Sequence, residues 1–199
     1  MATIGLSRPY IAKYINTDGV ITYADGKRMG KAVEVSVEVE SGESNDFYAD
    51  NGICESDRSF AGGTLGITTD DLEQDVSAMI LGITSSKITV GEEEVSELIY
   101  DDNMEAPDLG FGVIIKKKKG GVYKWRAVVL TKIKFSVPSD SATTQGESIE
   151  WQTPEAEASI MRDDSELHAW KREATFDTEA KAEAYIKQVL NIGQQEVTE

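Results

Sequence analysis

LGFGVIIKKKKGGVYKWRAVVLTKIKFSV, residues 109–137, decides the fold. Apolar residues 109–115 run into Lys116, Lys117, Lys118, Lys119, Gly120 and Gly121, and the chain then returns through 122–137. In the return, Tyr123, Trp125, Ala127, Val129, Thr131, Ile133, Phe135 and Val137 fall on one face, with Lys124, Arg126, Lys132 and Lys134 on the other. A period of two, rich in β-branched and aromatic residues, specifies strands, so this stretch is an antiparallel hairpin with a basic tip.

The same reading extends outward. Residues 32–40 alternate strictly, with Val33, Val35, Val37 and Val39 against Glu34, Ser36, Glu38 and Glu40, which predicts a half-buried strand with an acidic outer face. Arg8–Ile15 and Val20–Tyr23 flank Asp18-Gly19, a hairpin turn pair. A second hairpin is expected from Asn45–Asp50 and Gly52–Phe60 around Asn51-Gly52, and Gly62, Gly63 and Gly66 punctuate the next strand, where a bulge is expected. Two short strands and an acidic loop, Asp101–Asp108, occupy 85–108. Alternation resumes over 147–161 through Ile149, Trp151, Ala156, Ala158 and Ile160, and a last strand covers Leu167–Thr175.

Two segments have helical spacing instead. One, over about 70–81, opens with Asp70 and Glu73 at capping-box spacing, buries Leu72, Val76, Met79 and Ile80, and ends at Gly82. The other, over about 177–191, buries Ala182, Tyr185, Ile186 and Val189. Many short strands with two helices predict a mainly β fold, a β-sandwich or curved antiparallel sheets with helices laid against them. The expected organisation is one domain over 1–176 and a C-terminal helix with a polar tail, 177–199, packed on it or extending from it.

Composition narrows function. The chain of 199 residues carries a formal charge of −16, which disfavours a surface that grips nucleic acid through Lys and Arg. No apolar run approaches the ~20 residues that cross a bilayer, so neither membrane anchoring nor a signal peptide is expected, and the chain reads as cytosolic. The lone cysteine, Cys54, forbids an intrachain disulfide and reads as a small residue in a strand. The lone histidine, His168, sits in an expected strand and reads as structural, so no catalytic triad is expected. Asp101–Ala106 resembles a calcium loop only superficially, since Ala106 stands where the sharp turn needs glycine and Gly112 where the closing acid belongs. Ala61–Gly66 has neither the Lys-Ser/Thr ending of a phosphate loop nor dinucleotide-fold spacing. The expectation is no enzyme, no cofactor and no metal.

Charge is segregated along the chain. Between Asp108 and Asp140 there is no acid and there are eight cations, which leaves twelve cations against 36 acids elsewhere, a balance of −24. Such a basic hairpin is either a solvated tip or a contact for an acidic surface on a neighbouring copy. Repeated head-to-tail contacts of that kind close into rings or grow into filaments.

Several segments, in order, resemble the major tail proteins of long-tailed bacteriophages, particularly the phi13-type family. They are Phe47–Gly52, Thr69–Leu72 with Leu81-Gly82, Ala106–Gly112, Tyr123–Trp125 through Lys132–Pro138, and Thr144–Pro154. The resemblance implies a tail-tube β-sandwich with a flanking helix, and hexameric rings stacked into the tube through which DNA is ejected. It also implies a virion tail assembled in the host cytoplasm. Its partners would be further copies of itself, tape-measure, tail-terminator and tail-tip proteins, and genomic DNA in transit without specific binding. On this reading Glu34, Glu38, Glu40, Glu43 and Asp46 line the lumen or its rim, because carboxylates offer a polyanion nothing to stick to. Lys116, Lys117, Lys118, Lys119, Lys124 and Arg126 form the contact between subunits. The rivals are a β-sandwich adhesion or decoration module, which would be a stable monomer with a ligand patch, and a tube protein of the type VI secretion kind.

Overall fold

Residues 2–42, 59–138 and 153–193, with the backbone of 45–49 and 52–57, are described by a computed structural model. The elements run β1 (Ala2–Thr17), β2 (Val20–Arg28), β3 (Ala32–Ser41), β4 (Asn45–Ala49), β5 (Gly52–Asp57), β6 (Phe60–Thr69), α1 (Gln74–Leu81), β7 (Ser85–Val90), β8 (Glu93–Leu98), β9 (Leu109–Lys119), β10 (Val122–Phe135), β11 (Glu155–Met161), β12 (Lys171–Phe176) and α2 (Glu179–Val189). The fold is mainly antiparallel β with two helices, as the patterning predicts. Eight strands form one sheet in the order β2-β1-β9-β10-β11-β6-β3, and β12 lies beside the first half of β10 while β11 lies beside its end. β4–β5 and β7–β8 are separate hairpins.

Turn chemistry fixes two of the ladders. Asp18 and Gly19 have φ of 51° and 84°, and Gly120 and Gly121 have 58° and 81°. Positive φ at both central residues is what a two-residue hairpin turn needs to match strand twist. The lysines Lys116–Lys119 lie within β9 rather than in the turn, paired across to Trp125, Lys124, Tyr123 and Val122 in that order.

The single continuous face expected along β10 is divided by a bulge. Leu130 pairs with Phe111 but Ile133 pairs with Leu109, so β10 carries one extra residue there. An extra residue exchanges the faces of a strand. Ala127 and Val129 therefore lie in one apolar layer, and Ile133 and Phe135 in the other. The cause is tertiary: the Thr131 N–H donates to the Trp170 carbonyl (3.1 Å) and its hydroxyl to the Ala169 carbonyl (2.6 Å).

The main core joins Ile11, Phe111, Leu130 and Ile133 to Leu65, Ile67 and Ile160, closed by Val76, Met79, Ile80 and Leu81 of α1. On the opposite side of β1, β9 and β10, the residues Tyr10, Ala12, Ile114, Ala127 and Val129 are covered by Ala182, Ile186 and Leu190. The C-terminal helix thus packs on the sheet. Gly112 allows this approach, since a Cβ there would sit 2.5 Å from Ile186 Cγ2, and a Cβ on Gly110 would sit 2.7 Å from Leu190 Cδ2.

Two boundaries differ from the expectation. α1 begins at Gln74, not Asp70, because Asp70 accepts from the Lys31 backbone N–H (2.6 Å) and so ties the end of β6 to the start of β3 instead of capping a helix. Its C-cap is Gly82 at φ 69°, as expected. The last strand begins at Lys171, since Asp163 accepts from the Ser165 N–H and hydroxyl and His168 takes φ 48°, which makes 163–170 a turning segment. The bulge expected near Gly62 is present: Glu40 pairs with Gly62 and Ser41 with Phe60, leaving Ala61 unpaired. Ile149 and Trp151 lie outside the described residues.

Candidate functional site

Register builds an acidic face from three strands. Glu34 pairs with Thr68 and Thr68 with Glu155; Ser36 pairs with Gly66 and Gly66 with Glu157; Glu38 pairs with Thr64 and Thr64 with Ser159. Directly paired residues share a side of the sheet, so Glu34, Glu38, Glu40, Glu155 and Glu157 stand on one face among serine and threonine. All five are exposed, and among the described residues none forms an ion pair. β3 and β11 are two strand spacings apart, ~10 Å, close to the Debye length at physiological salt, so the fields of these carboxylates overlap. Among the described residues β3 ends the sheet, with β6 on one side and no paired strand on the other.

Of the remaining acids expected to line a lumen, Glu43 lies outside the described residues. Asp46 falls on β4, which pairs with β5 and is not part of this sheet. Glu155 and Glu157 were not singled out from the sequence, although the alternation that buries Ala156, Ala158 and Ile160 already places them opposite.

The cations form a three-stranded arm. Lys116, Lys117 and Lys118 pair with Gly5, Thr3 and Ala2 of β1 on one side and with β10 on the other. Lys116 and Lys118 each sit 4.9 Å from the Tyr123 ring centroid, on one face of the arm. Lys124 and Arg126 share the other face with Lys117 and are already engaged within the chain, Lys124 with Asp177 and Arg126 with Glu173. Lys124 holds the Asp177 carboxyl below the usual carboxylate range, and Lys171, helped by Arg126, does the same for Glu173. Two of the six cations placed on the expected subunit contact, Lys124 and Arg126, therefore fasten β12 and the turn into α2 to the arm, and Lys116–Lys119 carry its outward charge. Neither a family model nor a curated protein matches the sequence.

The valine side of β3 departs from a half-buried strand. Val37 and Val39 are 37% and 47% exposed. With Val35 they face Phe111, Val113 and Val128 across a cleft of 310 Å³. β3 lies near β1 without joining its ladder among the described residues. No group of three or more His, Cys, Asp or Glu is arranged to hold a metal ion among the described residues, and no described helix is long and apolar enough to cross a membrane. His168 stands in the turn after β11, its Nδ1 3.4 Å from the Asp163 carbonyl.

Proposed function

We propose that this chain is a tail-tube subunit, a structural protein whose copies form stacked, hexameric rings around a channel for DNA. What carries the reading is the outer face of β3, β6 and β11, where five carboxylates stand with no cation on those three strands; on the neighbouring β10, Lys134 shares that side and pairs with Glu105, and the lysine run 116–119 lies on a separate arm. Five like charges on one face repel one another and favour solvent over any acidic neighbour. Around a bore, the same face gives a polyanion no counterion-releasing contact, so DNA passes without binding. The unpaired edge of β3 supports the reading as well, since an edge strand of this length is completed by pairing with another chain or must be blocked.

The arm supplies the complementary charge. Lys116–Lys119 would steer one copy onto the acidic surface of the next and set their register, without entering the bore. Electron microscopy of the purified protein at rising concentration tests the proposal. Long hollow tubes are expected; dispersed single particles at every concentration, and none in virion tails, would overturn it. Replacing Lys116–Lys119 by Glu should abolish the tubes and leave the monomer's circular dichroism unchanged.

A further inference from the structure

The cleft beside β3 has a partner elsewhere on the same chain. β7 and β8 form a hairpin that, among the described residues, pairs with no other strand. Its register places Ile88 opposite Val95 and Val90 opposite Glu93, so Ile88, Val90 and Val95 share one face. Val90 is 62% exposed and Ile88 45%. A lone two-stranded hairpin is marginal in water, and β-branched side chains on one open face are the pattern of a surface that becomes covered. The cleft presents the matching surface through the exposed Val37 and Val39 and the half-buried Val35, above a floor of buried Phe111, Val113 and Val128.

Charge selects the pairing. The hairpin carries Glu92, Glu93, Glu94 and Glu97 against Lys87 alone. The cleft is lined by Arg126 and Lys171, two cations that share the one carboxylate of Glu173, and Lys117 stands on the same face of the arm. Arg126 Nε is buried and has no hydrogen-bond partner among the described residues, so a donor waits beside the apolar floor. Ile88, Val90 and Val95 of the hairpin and Val37 and Val39 at the rim of the cleft all remain exposed, so among the described residues neither surface covers the other.

We propose that the β7–β8 hairpin of one copy seats Ile88, Val90 and Val95 at the cleft between β3 and β9–β10 of the next copy, with Glu93 and Glu97, which share that face, against Arg126 and Lys171. The two surfaces differ, so each copy offers one and accepts one, and the contact propagates as rings or filaments do. This inference rests on the tube reading and names the contact that would hold the tube together.

Cysteine pairing tests it. In a Cys54→Ser background, one preparation carries Val90→Cys and another Val39→Cys, and the two are mixed under mild oxidation. A crosslinked dimer in the mixture, absent from either preparation alone, is expected. Val90→Lys, at an exposed site that the monomer's fold does not need, should weaken assembly by about tenfold or more while the thermal midpoint of the monomer stays put. A Val39→Cys preparation that crosslinks to itself would mean that two clefts meet face to face and would overturn the proposal. Tubes that form without the mixed crosslink and tolerate Val90→Lys would overturn it too and leave the tube reading intact. A mixed crosslink in short oligomers that never become tubes would sustain the contact and remove the tube.

Discussion

Gly112 is a residue whose absent side chain is its function. Alanine there would press its Cβ against Ile186, a branched side chain held between α2 and the sheet. Overpacking of this kind costs about 1–3 kcal/mol. Gly112→Ala should lower the urea midpoint accordingly, and Ile186→Val in the same chain should recover part of the loss. The tyrosines set the alkaline limit. Burial pushes the Tyr14 hydroxyl up to about 12, helped by Asp164, to which it donates at 2.8 Å. Burial raises Tyr23 as well, and its hydroxyl donates to the Thr131 carbonyl. Both pKa values are higher folded than unfolded, where a tyrosine titrates near ~10. Their contribution is complete below pH ~10 and is lost as the pH rises toward the folded value. A thermal midpoint that falls over that window in the parent, and falls less in Tyr14→Phe, is the expected result. In acid the sign reverses: Asp164 is held low by its hydrogen bond from Lys132 and then by Tyr14, so its share of stability is present above ordinary carboxylate values and is lost as the pH falls.

At the scale of the element, α2 belongs to the core rather than to a tail. Ending the chain after Phe176 would uncover Ile114, Ala127 and Val129 and remove Ile186 and Leu190, all buried. Burying two such side chains is worth about 3–6 kcal/mol, against total stabilities of about 5–15 kcal/mol for natural domains. The shortened protein should therefore precipitate or lose its cooperative thermal transition, which scanning calorimetry would register. Elements such as this one were legible in the sequence wherever local chemistry decides them. The Asp18-Gly19 turn, the valine alternation of β3 and the Ala182–Ile186 spacing could each be read off directly. The β10 bulge could not, because the carbonyls of Ala169 and Trp170 that hold Thr131 are distant in sequence. Asp70 misled for a related reason: its spacing to Glu73 fits a cap, but Lys31 claims the carboxylate first.

Over the whole molecule, what matters is how charges of each sign are kept apart. The acids of β3 were visible as a row, but a face needs neighbours, and the register that adds Glu155 and Glu157 exists only in the folded sheet. Lys124 and Arg126 looked like outward charges for the opposite reason, since their partners on β12 and at the start of α2 follow some 50 residues later. If the carboxylate face lines a bore, Glu38→Lys, Glu155→Lys and Glu157→Lys together should leave tubes able to form but make them hold DNA. Sedimentation of tubes with duplex DNA at low salt would measure this: the triple variant should carry DNA down and release it as salt rises, and the parent should not.

The floor that Gly110 and Gly112 provide for α2 also fixes a moment in the life of each copy. The patch around Ile114, Ala127 and Val129 is made well before residue 190 leaves the ribosome, and until then nothing from α2 can cover it. A nascent chain therefore carries an exposed apolar patch, and it is the emergence and docking of α2 that closes it.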